Sequence, residues 1–308
     1  MKRVLSVSLG SSKRDHKVEA DFGGEKFDVE RRGVDGDLPR AIALIRELDG
    51  QVDAFGLGGI DLYLRVCNRR YIIQDALKMY NAAKKTPVVD GSGVKYTLEK
   101  KIVAELKSRM GWNPRETPVL LVSGVDRFGM AEAFEADSYP LIMGDFMFAL
   151  DLPVAVRSLR QLCWSSALLL PILTRLPFTF LYPTGSKQET RKPKFTGFFE
   201  RARVIAGDFL YIRKYSPDDL RGKTVVTNTT TSEDVQHLIR QGVSTLVTTT
   251  PVLNGRSFGT NVLEACLVAY VGYKGKGGLR DEDYDALIER LDLKAEYRTL
   301  NSGAPEHG

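Results

Sequence analysis

The chain has 308 residues, of which 43% are hydrophobic and 27% charged. This composition excludes wholesale disorder, and the length suffices for two domains of ordinary size. The formal net charge of +5 is spread along the chain without a block of like charges, which disfavours nucleic-acid binding. The most apolar stretch lies between Arg160 and Arg175 and is shorter than the roughly 20 residues of a membrane-spanning helix, so we expect no membrane partner.

The first half of the chain predicts strands that alternate with helices. A strand over 3–9 comes first, and a hairpin follows with arms at 16–22 and 25–34 around Gly23-Gly24. Asp37 is a helix cap, and Gly50 ends that helix. Further strands and helices follow as VDAFGLGG, RRYIIQ, DALKMYNAAKK, PVVDGSG, VKYTLEKKIVAELKSRMG, PVLLVSG and YPLIMGD.

The second half repeats the alternation. The stretch over 153–176 predicts a long helix or helical pair and contains the expected domain join. Four strands follow as FTFLYPTG, ARVIAGD, KTVVTNT and STLVTTTP, with helices KPKFTGFFERA, SEDVQHLIRQG, TNVLEACLVAYVG and DEDYDALIERLDL between and after them. The helix TNVLEACLVAYVG is apolar on nearly all sides, which indicates burial.

This order predicts an α/β fold with two mostly parallel sheets and helices on both faces, the C-terminal sheet being Rossmann-like. We divide the chain into residues 1–152, an N-terminal α/β domain on the substrate side, and residues 153–308, a Rossmann-like domain on the nucleotide side. In such sheets ligands bind at the carboxyl ends of the strands. The Gly-rich turns after the strands are therefore the candidate sites.

The C-terminal strand ends are rich in Thr, Gly, Asn and Ser, which suits a nucleotide or dinucleotide, NAD or NADP. Arg256 adds a guanidinium fork that matches phosphate or carboxylate. The sequence contains neither a G-x-G-x-x-G fingerprint after a strand nor a P-loop, so this site would be atypical. The candidate cofactor-binding residues are Thr184, Gly185, Ser186, Gly207, Asp208, Asn228, Thr229, Thr249, Thr250, Arg256, Ser257 and Asn261.

The N-terminal strand ends are rich in Asp and Lys. A Lys–Asp pair can move a proton when an alcohol is oxidised, because burial readily lowers the pKa of a lysine. Either lysine could pair with any of the three aspartates, and ordinary salt bridges and helix caps are the alternative for each residue. The candidate catalytic residues are Lys13, Lys95, Asp90, Asp61 and Asp126.

The cysteine and histidine content argues against a metal site. Cys67, Cys163 and Cys266 are far apart and form no C-x-x-C pair, so we expect small buried thiols in a reducing, cytoplasmic setting. Only three histidines are present, too few to favour a His-rich metal site.

Several long strings resemble a bacterial family commonly labelled quinate 5-dehydrogenase, namely SVSLGSSKRDHKVE, DAFGLGGIDLYL, VVDGSGVKYTLE, SGVDRFGMAEAF and TTTPVLNGRSFGTN. The resemblance covers about residues 3 to 272. It implies NAD(P)-dependent oxidation of quinate at a ring hydroxyl and kinship with shikimate dehydrogenases. Those enzymes carry a Gly-rich dinucleotide loop where this chain has PTGSKQ. No catalytic residue is carried over from them.

We therefore predict an NAD(P)-dependent oxidoreductase that acts on a small hydroxylated carboxylic acid such as quinate. Its expected ligand is a small anionic metabolite, and a homo-oligomer is compatible with the sequence. A transferase or ligase-like enzyme that uses a phosphorylated or nucleotide substrate is one alternative. A non-catalytic metabolite-binding protein is the other.

Overall fold

A computed structural model describes residues 1–181, 191–250, 252–253, 256–257 and 259–301. Its strands are β1 (Lys2–Ser8), β2 (His16–Phe22), β3 (Glu25–Gly33), β4 (Ala54–Gly58), β5 (Tyr63–Val66), β6 (Arg69–Ile72), β7 (Val88–Val89), β8 (Val119–Leu121), β9 (Leu141–Met143), β10 (Val204–Ala206), β11 (Thr224–Thr227), β12 (Thr245–Thr248), β13 (Val252–Leu253), β14 (Arg256–Ser257) and β15 (Glu296–Thr299).

The helices are α1 (Leu38–Leu48), α2 (Gln74–Tyr80), α3 (Ser92–Met110), α4 (Phe128–Ala136), α5 (Leu159–Leu173), α6 (Phe178–Leu181), α7 (Thr196–Arg201), α8 (Phe209–Tyr215), α9 (Ser232–Arg240), α10 (Thr260–Tyr270) and α11 (Asp281–Arg290). Within the described part of the chain, no helix combines the length and apolarity needed to cross a membrane.

The chain forms two compact units that interleave along the sequence. Unit 1 comprises Met1–Thr97, Ser166–Gln188 and Val252–Leu293, and unit 2 comprises the remaining segments. The predicted division at residue 152 does not coincide with these units. The reason lies in strand pairing, because β8 and β9 join the same sheet as β10.

Unit 1 contains a five-stranded sheet in the order β2-β3-β1-β4-β7. Strand β1 runs parallel to β3 and β4, β4 runs parallel to β7, and the edge strand β2 pairs antiparallel with β3 in the predicted hairpin. Its four parallel strands, taken in chain order, have the arrangement 2-1-3-4. That arrangement places a topological switch point between β1 and β4.

Unit 2 contains a six-stranded sheet in the order β15-β12-β11-β10-β8-β9, in which β15 alone is antiparallel. Its five parallel strands have the order 2-1-3-4-5 of doubly wound folds, with the switch point between β8 and β10. The protein is therefore an α/β protein with two mostly parallel sheets, and the sheet of unit 2 is Rossmann-like.

Each unit has its own apolar core. In unit 1 the core lies between the sheet and α1 and α2, where Phe55, Ile45 and Met79 are fully buried. In unit 2 it includes Phe199 and Ile205. The apolar strands thus bury their side chains against helices, as parallel sheets require.

Two local predictions are wrong. The run that begins at Phe178 predicted a strand, but Phe178–Leu181 is a helix. A short apolar run does not separate the two structures by its periodicity, and the backbone N–H of Phe178 donates to the Asp75 carboxylate at 3.0 Å. Cys266 is a free, buried thiol, whereas Cys67 and Cys163 are disulfide-bonded. The expected free, buried thiol therefore occurs at Cys266, and the cytoplasmic location stays a prediction.

Candidate functional site

Lys95 and Asp61 form an ion pair at the carboxyl end of the unit 1 sheet. Asp61 follows β4, and Lys95 lies in the first turn of α3, directly after β7. Lys95 Nζ is 3.1 Å from Asp61 Oδ1, and the two side chains are only 10% and 16% exposed. Electrostatic attraction is stronger in such a shielded environment than in water. The structure thus brings together two of the five residues predicted as catalytic.

Asp90 holds the loop that carries Asp61. Its Oδ2 accepts hydrogen bonds from the Leu62 N–H and from the Ser92 hydroxyl, both at 2.6 Å. Its Oδ1 accepts from the Ser92 N–H at 3.1 Å. Asp90 is buried, and Leu62 is the residue after Asp61. Asp90 therefore positions Asp61 opposite Lys95, and we call Asp61, Asp90, Ser92 and Lys95 the Lys95 cluster.

A buried carboxyl group from α10 adjoins this cluster. Glu264 Oε2 accepts from the Gly91 N–H at 2.5 Å, and the Tyr284 hydroxyl donates to Glu264 Oε1. Burial, and next the negative charge of Asp90, raise the pKa of Glu264 to about 8, although Tyr284, Gly91 and Lys95 act in the opposite direction. Glu264 therefore holds a proton near pH 7.

Sequence reasoning missed Glu264, although a signal was present. It is the one charged residue in the apolar helix α10. A lone carboxylate in a helix that is apolar on all sides must find hydrogen-bond partners in the interior. The lone glutamate therefore predicts a buried polar cluster, but the sequence does not identify the residues that form it.

Glycines let α10 come close to the unit 1 sheet. A Cβ at Gly56 would lie 2.6 Å from the backbone oxygen of Asn261, and one at Gly91, whose φ is +95°, would lie 2.6 Å from its backbone nitrogen. The Asn261 side chain donates to the Ser6 hydroxyl at 2.7 Å. Asn261, predicted as a cofactor ligand, therefore lies in unit 1 and anchors a helix to a strand.

The other two predicted catalytic residues belong to a different turn and to the other unit. Lys13 is exposed on a 3-10 turn over Ser12–Arg14, and no ion pair of its side chain occurs among the described residues. Asp126 belongs to unit 2. Within unit 1, the structure brings Lys95, Asp61 and Asp90 together as one group.

A second polar group lies at the switch point of the unit 2 sheet. Arg127, after β8, makes ion pairs with Glu99 at 2.7 Å, with Asp126 at 3.0 Å and with Asp208, after β10, at 3.4 Å. We call these four residues the Arg127 cluster. It links the ends of two adjacent strands, and its three carboxylates outnumber its single guanidinium.

The three carboxylates set the charge state of Arg127. Burial alone would lower the pKa of Arg127, but the charges of Asp126, Glu99 and Asp208 together raise it. Arg127 is 3% exposed, so its positive charge is neutralised by these three carboxylates. The Arg127 guanidinium is therefore already paired with carboxylates and is poorly suited to bind a ligand phosphate.

A carboxylate also takes the backbone donors of the turn between β8 and α4. Asp145 accepts from the Gly124 N–H at 3.0 Å and from the Val125 N–H at 2.9 Å. Burial raises the pKa of Asp145, and these two hydrogen bonds act against the increase. Doubly wound folds use N–H groups of such a turn to hold phosphates. This turn does not fit the pyrophosphate of a dinucleotide.

The remaining described cofactor candidates lie along the same edge of unit 2. Asp208 caps α8, and the Asn228 side chain approaches Asp208 at 3.5 Å. The Thr250 hydroxyl donates to the Asn228 carbonyl at 2.8 Å, and Thr249 is buried. The structure brings these four together, next to the strand ends that hold Gly207 and Thr229.

For five predicted cofactor residues, the side-chain positions are not described. Thr184, Gly185 and Ser186 lie outside the described residues. Arg256 and Ser257 form β14, which pairs with β13 in unit 1, and their side chains are not described. Among the described residues, no group of three or more His, Cys, Asp or Glu could hold a metal ion.

Two family models match the chain. The domain of unknown function DUF8754 matches residues 93–300, and the domain of unknown function DUF8753 matches residues 3–90. Their boundary falls at the turn between β7 and α3, which carries Asp90 and Ser92. No curated protein matches the chain.

Several solved structures are similar over most of the chain. An ABC transporter solute binding protein from Burkholderia multivorans is 12% identical, with 97% of this chain and 99% of that chain covered and a TM-score of 0.40. A hetero-hexameric glutamate dehydrogenase from Thermus thermophilus is 13% identical, with 94% and 73% covered and a TM-score of 0.45. A galactofuranose binding protein is 11% identical, with 95% and 99% covered and a TM-score of 0.34. Scores this low carry no argument about the ligand of this chain.

Proposed function

We propose that this chain, which belongs to the family of the domain of unknown function DUF8754, acts on a hydroxyl group of a small hydroxylated carboxylic acid. Lys95 and Asp61 are the proposed catalytic pair. One observation carries the proposal: the two side chains form a shielded ion pair at the carboxyl edge of a doubly wound sheet. Ligands of such sheets bind at that edge.

The pair suits proton transfer at a hydroxyl. The Asp61 carboxylate accepts the proton of the substrate hydroxyl, and the Lys95 ammonium stabilises the oxyanion that develops. Asp90 acts as a positioning residue, because it accepts hydrogen bonds from the Leu62 N–H, next to Asp61, and from the Ser92 hydroxyl at the start of α3. The negative charges of the cluster, on Asp61 and Asp90, favour the ammonium form of Lys95 beside Asp61.

The finer proposal is alcohol oxidation with NAD or NADP as the co-reactant. A bound nicotinamide supplies a hydride acceptor for the carbinol carbon. The resemblance to the quinate 5-dehydrogenase family supports this reaction, and Asp208 and Asn228 offer acceptors for ribose hydroxyls. The turn between β8 and α4 does not support it, because Asp145 accepts the hydrogen bonds that a pyrophosphate would need.

The geometry of Asp145 favours a second candidate function. A protein that binds a hydroxylated metabolite without turnover needs no phosphate site, and a carboxylate over the turn is then no obstacle. In that case the Lys95–Asp61 pair would bind a ligand hydroxyl and a ligand acid group without transferring a proton.

Fluorescence titration and turnover separate the two functions. We expect NADH or NADPH to bind in the micromolar range, and quinate with NAD or NADP to give an absorbance increase at the nicotinamide band. Lys95→Met should abolish that turnover and leave cofactor binding intact. Lys100→Met is the matched control, because Lys100 lies on the same helix and pairs with Glu132 at 41% exposure. If neither NADH nor NADPH binds, the oxidoreductase hypothesis is refuted and the hypothesis of a binding protein is favoured.

A further inference from the structure

The hairpin β5–β6 in unit 1 places two arginines directly opposite each other. The strands are antiparallel, with Arg65 in register with Arg70 and Val66 in register with Arg69. Residues directly opposite in such a pair lie on the same face, and like charges there destabilise the hairpin. The arrangement thus opposes hairpin stability unless an anion or another group offsets the repulsion.

Only one of the two guanidinium groups has an anionic partner. Arg65 stacks over the Tyr96 ring at 3.9 Å and pairs with Asp281 at 2.6 Å. Arg70 stacks over the Tyr63 ring at 4.7 Å and is exposed. Among the described residues, no carboxylate pairs with Arg70. The hairpin therefore presents a cation, seated on an aromatic ring, that is available to an anion from solution.

Tyr63 connects this cation to the Lys95 cluster. It is two residues from Asp61, and its carbonyl oxygen lies 3.4 Å from the Ser92 hydroxyl. Burial, and next the charges of Asp90 and Glu264, raise the pKa of Tyr63, whereas the charge of Arg70 lowers it. Tyr63 thus carries Arg70 on its ring and contacts the Lys95 cluster through its backbone carbonyl.

We propose that Arg70, seated on Tyr63, binds the carboxylate of the same substrate whose hydroxyl meets Lys95 and Asp61. A guanidinium fork matches a carboxylate in a bidentate geometry, and a stacked arginine loses little freedom when it binds. This inference rests on the proposed function, and it names the acid group as the part of the substrate that determines specificity. A neutral polyol would leave Arg70 without a partner.

Arg69 provides a matched control on the same hairpin. It is exposed, carries the same charge and lies one residue from Arg70, but successive residues of a strand point to opposite faces. A general loss of positive charge would affect Arg69→Gln and Arg70→Gln equally. Loss of a carboxylate site affects Arg70→Gln alone.

The test measures thermal unfolding of the full chain with small acids and their neutral esters. The probes are quinate, malate and lactate, each compared with its methyl ester. We expect at least one acid to stabilise the wild type and Arg69→Gln. Arg70→Gln should weaken that apparent affinity roughly 10- to 100-fold, the range for hydrogen bonds to a charged group, and Arg70→Lys should fall between. The esters should bind all variants equally weakly.

Two results overturn the carboxylate site: no acid stabilises the wild type, or stabilisation by an acid survives Arg70→Gln. Turnover is measured in parallel and separates this inference from the proposed function. Arg70-dependent binding without turnover would refute the enzyme and leave the carboxylate site standing. Turnover of an acid by Arg70→Gln with the wild-type rate and apparent affinity would do the reverse.

Discussion

The protonated carboxyl group of Glu264 should make the stability of this protein depend on pH. Its pKa lies near 8 in the folded state, against the ordinary value of 4.5 for a glutamate. Glu264→Gln keeps an oxygen that can accept the Gly91 N–H and removes the ionisable proton. We therefore expect the variant to lose a pH dependence that the wild type shows, with its fold retained.

The magnitude follows from the two pKa values. Below pH 4.5 both states hold the proton, and the full contribution of Glu264 to folding is present. Between pH 4.5 and about 8 only the folded state holds it, so the free energy of unfolding falls by about 1.4 kcal/mol per pH unit. Above the folded pKa the loss is complete. The loss should reach several kcal/mol, on the order of 5.

Urea unfolding at pH 5.0, 6.5 and 8.0 and constant ionic strength measures this effect. Relative to the wild type, Glu264→Gln should gain stability steadily as the pH rises. Glu233→Gln is the control, because the Glu233 side chain is 76% exposed and its replacement should change the free energy by less than about 1 kcal/mol at each pH. A constant difference between Glu264→Gln and the wild type across the three pH values would refute the reasoning.

Two further predictions concern packing and buried charge. Arg127→Met leaves three carboxylates without their cation and should lower the free energy of unfolding by roughly 3–5 kcal/mol. The control is Arg221→Met, because the Arg221 side chain is 83% exposed and its replacement should change the free energy of unfolding by less than about 1 kcal/mol. Equal effects of the two variants in urea unfolding would contradict a buried ionic role for Arg127. Gly93→Ala should cost roughly 1–3 kcal/mol, because its Cβ would lie 2.4 Å from the Tyr284 ring. At Gly197, an added Cβ would have its nearest neighbour at 3.5 Å, so Gly197→Ala should be neutral or slightly stabilising. A similar melting temperature for the two alanine variants would contradict the close contact at Gly93.

Local patterns in the sequence predicted most of the elements. The hairpin around Gly23-Gly24, the strand before Gly207 and the closing helix α11 all occur where their periodicity placed them. The run at Phe178 failed, because so short an apolar run fits a strand and a helix equally well. The helix α9 is capped by Thr231 with Asp234 in a full capping box, and Thr231 is the residue before the predicted helix SEDVQHLIRQG.

The candidate site was predictable in part. Residue types at the strand ends pointed to Lys95, Asp61 and Asp90, because carboxyl ends of parallel strands share one edge. The charge balance of unit 2 was not predictable from those ends. Asp145 and Arg127 decide it through contacts with residues distant in the sequence, which no local pattern encodes.

The sequence by itself determined the fold class and the strand ends, because alternation of strands and helices and the placement of Gly, Asp and Lys are local properties of the chain. The tertiary structure decided which ends meet. Strand β8 pairs with β10 across more than 80 residues, and Glu264 reaches Gly91 across 173. Such contacts depend on pairing order and helix packing between distant segments. The interleaved units and the buried proton on Glu264 both follow from that long-range order.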